Sequence, residues 1–247
     1  MGISEPMIYL YAITNRQENS PPLGAGIADA VPYWVSYRDL AALVSVTPGK
    51  EAPPANEANL WRHEQVIEQL MAHLTVLPVR FGTVIHTEDA IRAALEEHYA
   101  TFVADLKRLQ GCVELSVRVI WNDAPPPVPE NPQHLPIGAT SEGKRDGRSY
   151  MLARMAEEQR QGVWRQRAKA LIDEIHPPLA AIAVENTYKM LVTPRMLLTA
   201  AYLVDHAHIA AFQHQAETLS TDYPALQFLC TGPWPAYNFV STQKPTL

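Results

Sequence analysis

Residues 196 to 204 read Met-Leu-Leu-Thr-Ala-Ala-Tyr-Leu-Val, apolar at both parities of an extended chain. A strand turns alternate side chains to opposite faces, so a strand of this composition has to be covered on both sides. Upstream, Val113, Leu115, Val117, Val119 and Trp121 alternate with Glu114, Ser116 and Arg118, which predicts a strand with one buried and one largely polar face. Between the two, the pattern predicts a long helix from Ser149 to Ile175, stopped by Pro177-Pro178, and a strand over Leu179 to Glu185. Beyond them follow a helix with Ile209, Phe212, Ala216 and Leu219 on one side and a last strand from Ala225 to Thr231.

From Gly111 onward the order is therefore strand, helix, strand, strand, helix, strand. This is the ferredoxin-like βαββαβ order, an antiparallel four-stranded sheet with helices on one face and its first and third strands central. Such a unit alone leaves one sheet face open, so the doubly apolar third strand needs a further cover.

The first 110 residues do not repeat this order. Strands are expected at Met7 to Ile13, Tyr33 to Tyr37 and Leu40 to Val46, ended by Pro48-Gly49 and Pro53-Pro54. From Asn56 the apolar period lengthens, and Leu60, His63, Ile67, Leu70, Met71 and Leu74 fall on one helix face. A strand over Val76 to Ile85 follows, then one helix capped by Thr87, with Ile91, Leu95, Tyr99, Phe102, Leu106 and Leu109 as its stripe and Gly111 as its stop. The expected fold class is α+β in two domains: 1–110, and 111–231 with a proline-rich insertion at 122–147. That insertion is the alternative boundary.

Composition narrows the function. A pI near 5.8 and a net charge of −6 argue against a nucleic-acid binder, which needs a basic face for phosphates. No apolar run approaches the roughly 18 residues of a spanning helix, and the stretch Met7 to Ile13 lacks the basic flank of a signal peptide. A cytoplasmic chain with no membrane partner is expected. Two cysteines, Cys112 and Cys230, cannot build a disulfide framework or a four-thiolate zinc site, and opposite strand parity keeps them unpaired.

No catalytic constellation stands out. His63-Glu64 opens like a zincin helix, but Ile67 occupies the place of the second histidine, so His63 reads as a satisfied histidine on a buried stripe. Asp205, His206, His208 and His214 do not share one helix face and read as structural or solvated. Arg80, Phe81 and Gly82 lack the aromatic spacing of an RNA-recognition sheet. Phosphate-loop, dinucleotide and nucleophile-elbow motifs are absent. No cofactor or metal is expected. Charge is more informative: between Lys144 and Lys169 lie eight basic and three acidic residues, a net of +5 in a chain of −6. Such a segment is either a solvated helix face or a docking surface for an acidic partner, with Arg154, Arg160, Arg165 and Arg167 the candidate contacts.

Three segments carry a resemblance. Leu77-Pro78-Val79-Arg80-Phe81-Gly82-Thr83 behind a His63-Glu64 helix, the opening Ile8-Tyr9-Leu10-Tyr11-Ala12, and the tail Gly232-Pro233-Trp234-Pro235-Ala236-Tyr237-Asn238-Phe239 together resemble the gas vesicle protein F/L family, with F favoured over L. Ala236 departs from the pattern where many members carry a second proline. The resemblance implies a non-enzymatic protein of gas vesicle formation, an accessory partner of the small hydrophobic shell protein and of other accessory proteins, cytoplasmic or on the vesicle's gas-facing surface. It implies two α+β domains, the second a modified ferredoxin-like fold, packed through a tail at 232–247. The competing reading is a cytoplasmic enzyme with a histidine-containing site at His63 or at His206 and His208. Within the motif segments, Arg80 is expected in a strand with a buried partner, and Trp234, Tyr237 and Phe239 are expected to bury outside any regular element.

Overall fold

A computed structural model describes residues 7–17, 21–49, 51–122, 147–190 and 196–241; most of the proline-rich insertion, 123–146, lies outside them. Two compact units divide the chain: Met1–Leu115 with Leu203–Ala207 and Gly232–Leu247, and Ser116–Tyr202 with His208–Thr231.

In the first unit β1 (Met7–Asn15) is central, flanked by β3 (Leu40–Thr47), which pairs with β2 (Tyr33–Tyr37). Eight of its nine residues are buried, as expected of a strand covered on both faces. Its other edge carries two short strands, β4 (Leu77–Pro78) and β5 (Val84–Ile85), both antiparallel to β1. The continuous strand expected over Val76 to Ile85 is thus interrupted. The Val79 amide still reaches the Tyr11 carbonyl (2.9 Å) and the Leu10 amide the Thr83 carbonyl (3.0 Å), so residues 80 to 82 loop out of the ladder. Gly82 at φ +85 allows that turn at little steric cost.

Helix α1 (Glu57–Met71) begins at Asn56, whose side chain accepts from the Asn59 amide, and buries His63, Val66, Ile67 and Leu70 against Tyr9, Tyr11, Ala12 and Leu43. Leu60, expected on the stripe, is exposed. The single helix expected from Thr87 to Leu109 is two, α2 (Glu88–Glu97) and α3 (Tyr99–Leu109), joined at His98 with φ −102 and ψ 14. Tyr99 leaves the buried stripe: its ring meets Tyr37 edge-on and its hydroxyl donates to Asp39. The Thr87 cap is as expected, its side chain accepting from the Ala90 amide.

The second sheet has the order β7-β8-β6-β9, built from β6 (Cys112–Trp121), β7 (Glu185–Met190), β8 (Met196–Asp205) and β9 (Leu226–Trp234). With β6 as first strand this is the ferredoxin-like order, and the two strands expected at the centre are there. An amide of His206 bonded to the Gly111 carbonyl, and of Asn122 to the Ala225 carbonyl, show that β6 runs opposite to both neighbours. β8 is buried at both parities.

Helix α4 runs from Gly147 to Ala180 and passes through the prolines expected to stop it. Pro177 still offers its carbonyl to the Ala181 amide, and Ile175 and Leu179, both fully buried, hold the last turn in place. The strand expected at Leu179 accordingly starts only at Glu185. Helix α5 (Ile209–Asp222) buries Phe212, Ala216 and Leu219 as expected. β9 continues past Thr231, so Trp234 ends a strand instead of opening an irregular tail. Cys112 and Cys230 are both thiols.

Candidate functional site

The three motif segments converge on one buried side chain. His63 is fully buried, on the face of α1 that also carries Val66, Ile67 and Leu70. Its ring stacks on Tyr11 at 5.8 Å and meets the edges of Tyr9 and Phe81 at 5.6 and 5.7 Å. Nδ1 lies 2.9 Å from the Tyr9 hydroxyl, and Nε2 lies 3.0 Å from the Val79 carbonyl and 3.3 Å from the Tyr237 hydroxyl.

These distances fix the proton positions. A carbonyl can only accept, so Nε2 carries the hydrogen for Val79 and Nδ1 accepts from Tyr9. The Tyr9 oxygen in turn accepts from the Gly82 amide (3.1 Å), and the Tyr237 hydroxyl donates to Glu64 (3.0 Å). Helix, looped-out turn, opening strand and tail are thereby joined in one chain of hydrogen bonds. Burial holds the imidazole neutral, its pKa lowered to about 4. Burial likewise raises the Glu64 carboxyl, and raises the Tyr237 phenol together with the adjacent Glu64 charge. Each of these groups already has a protein partner, which is the pattern of a structural joint.

Two more buried carboxylates hold the tail within the first unit. Glu114, 3% exposed, accepts from the Asn238 amide (2.9 Å) and from its side chain (2.7 Å), and burial raises its pKa. Asp105, also 3% exposed, accepts from the Ser241 amide (2.7 Å) and hydroxyl (2.8 Å) and pairs with Arg108 (2.7 Å). Arg108 also donates to the Phe239 carbonyl. Neither carboxylate was singled out from sequence. Asp105 sits among the stripe positions Phe102, Leu106 and Leu109, a placement that signals a buried acid; Glu114 lies on the strand face whose alternation reads as polar.

The motif residues fare unequally. Arg80 is exposed in the looped-out turn, where its carbonyl accepts from Thr83, and not in a strand. Phe81 packs against the α1–β1 core. Phe239 is buried at 2%, Tyr237 is half-buried, and Trp234 is exposed at 39%, against the expectation of burial; Ala236 and Val240 bury in its stead. His206, His208 and His214 are exposed, and among the described residues no group of three or more His, Cys, Asp or Glu is placed to hold a metal ion. A 210 Å³ cleft lies among the end of α1, Leu109, Cys112 and His206, apart from His63.

In the second unit Arg154, Arg165 and Arg167 are exposed on α4; the Arg160 side chain lies outside the described residues. Arg154 pairs with Glu158 one turn on (3.2 Å), and Arg167 lies 5.5 and 6.0 Å from the rings of Trp164 and Trp121. Met151 and Met155, exposed at 63% and 54%, share the helix with them. Among the described residues no helix is long and apolar enough to cross a membrane.

The model of the family described as gas vesicle synthesis protein GvpL/GvpF matches residues 7–241. Gas vesicle protein L of Streptomyces sp. (strain CB03234) is 32% identical, over 94% of this chain and 91% of its own. Gas vesicle protein F2 of Halobacterium salinarum is 26% identical, over 96% and 94%. In fold the chain is similar to the crystal structures of GvpF from Anabaena sp. PCC7120 (TM-score 0.76, 22% identity, 96% of each chain) and from Microcystis aeruginosa (TM-score 0.69, 20% identity, 95% and 99%).

Proposed function

The chain belongs to the GvpL/GvpF family of gas vesicle proteins, and we propose that it works there as a non-enzymatic binding protein whose partner is the hydrophobic shell protein, engaged during vesicle assembly. The observation that carries this reading is the surface of α4. Exposed Met151 and Met155 flank exposed Arg154, and exposed Arg165 and Arg167 follow about three turns further along the same helix, so that apolar and basic side chains share one exposed element. A shell subunit exposes apolar surface until it is assembled, and a protein that meets it needs a matching apolar patch with a polar rim. The central strand β8 does not offer one, because it is buried at both parities. The saturated hydrogen bonding around His63 supports a structural use of that histidine over a catalytic one. The working location is the cytoplasm or the vesicle surface, alongside other accessory proteins.

Co-purification with the cognate shell protein tests this. Association is expected for the natural chain, with loss after charge reversal at Arg154, Arg160, Arg165 and Arg167. No association of the natural chain, together with normal vesicles in a deletion strain, overturns the assembly role. Association that survives the reversal removes α4 as its site.

A further inference from the structure

One edge of the second unit's sheet has a sequence that complements itself. β7 ends the sheet order among the described residues, and five of its six residues are exposed. The Tyr188 ring packs 4.4 Å from that of His176 on α4, so even-numbered side chains of β7 face the helix side, and Glu185, Thr187 and Lys189 face the other.

A second copy could extend this sheet through an antiparallel β7–β7 pair about a two-fold axis normal to the sheet. Directly opposed residues share a face, so symmetry permits only registers in which one residue opposes its own copy. With Thr187 on the axis, Glu185 falls opposite Lys189 of the second copy, twice, and Asn186 falls opposite Tyr188. The same register brings Met190 opposite the start of the second copy's β7, beside Val184 in the bend that precedes it, two apolar side chains exposed at 43% and 57%. With Asn186 or Tyr188 on the axis, neither Glu185 nor Lys189 meets an opposite charge. Opposite charges and apolar pairs facing across strands are stabilising, like charges destabilising.

We infer that β7 is the pairing edge of a symmetric homodimer, with Thr187 on the two-fold axis and Glu185–Lys189 pairs on either side. A strand pair of this length buries an area at the small end of specific interfaces, so association is weak and concentration-dependent. The inference does not rest on the proposed shell-protein partnership.

Sedimentation velocity of the full chain, from low micromolar to near-millimolar concentration, reads the equilibrium. A monomer–dimer equilibrium is expected, shifted toward monomer at least tenfold in dissociation constant by Lys189→Glu or Glu185→Lys, and restored in the double variant E185K/K189E. A natural chain that stays monomeric across the range overturns the proposal, as does a dimer indifferent to both reversals. Because either reversal can unsettle the strand, Thr187→Cys gives a second reading. Opposed residues lie about 4.5 or 5.5 Å apart at Cα, within disulfide reach, so mild oxidation should yield a dimer whose peptide map joins position 187 to itself. Absence of that link in a dimeric sample overturns the register.

Discussion

Glu114 grips Asn238 twice, through the main-chain amide at 2.9 Å and the side-chain amide at 2.7 Å, across 124 residues of sequence. The carboxylate is almost fully buried, although Asn238 itself is exposed. Asn238→Ala removes the side-chain donor and leaves a buried charge half-satisfied. It is expected to cost about 1–3 kcal/mol in urea unfolding, whereas an Ala substitution at exposed Thr187 should stay within about 0.5 kcal/mol.

Removal of everything after Thr231 is more severe. It strips Phe239, Val240 and Ala236 from the first unit, orphans Glu114 and leaves Asp105 with Arg108 alone. The unpaired Glu114 carboxylate alone is expected to cost about 3 kcal/mol. The truncated chain should melt at clearly lower temperature and be cleaved faster by protease within 1–115. An unchanged melt would mean that these clasps carry no stability.

Acid should loosen the His63 joint. The imidazole pKa is lowered to about 4 in the folded chain, against an ordinary value of 6.5. Between those values the unfolded chain binds a proton that the folded chain refuses, so stability present above pH 6.5 is lost as pH falls toward 4, by up to about 3 kcal/mol. Glu64 and Glu114, whose carboxyl pKa values are raised, act in the opposite sense: the folded chain holds their protons more firmly, so acid below their folded values returns some stability. Urea titrations at closely spaced pH should show a positive slope in the natural chain through the histidine window. In His63→Gln most of that slope should disappear, the remainder coming from His176, whose pKa burial also lowers, while a Lys189→Gln control keeps it whole.

Gly26 stands where a Cβ would overlap the Tyr11 hydroxyl. That hydroxyl accepts from the Ile27 amide (2.7 Å) and lies 2.8 Å from the Ser45 hydroxyl, so it cannot move without breaking two buried bonds. Gly26→Ala should therefore destabilise the first unit by about 2–4 kcal/mol. Pairing it with Tyr11→Phe, which opens the space, should recover part of the loss in a thermal melt.

Periodicity was a good guide where one period persists over a whole element. β1, β2, β3, β6, β8 and α5 lie where alternation or helical spacing puts them, and the order of the second sheet follows. It failed where a tertiary partner interrupts the pattern. Tyr99 has the spacing of a buried stripe residue, yet it turns to Asp39 and Tyr37, and the helix breaks beside it. Residues 80 to 82 sit inside an apolar run, but Gly82 and the bonds of Val79 and Thr83 to β1 loop them out. Of the site, His63 and Tyr237 were legible as types, a histidine on an apolar face and an aromatic in a stiff tail. Glu114 was not, since a period of two assigns a face and is silent about what later covers it.

That cover arrives late in the life of the chain. The donors for Asp105 and Glu114 are encoded 136 and 124 residues downstream, so a ribosome must finish nearly the whole second unit before the first can close. Domains that emerge early in synthesis usually fold as they appear. Here the early-made half has Glu114 without its donors, and Asp105 with Arg108 alone, until residues 238 and 241 are translated. A message cut short before them yields a chain whose first unit is left open to proteolysis, and only copies that extend through Ser241 carry every clasp.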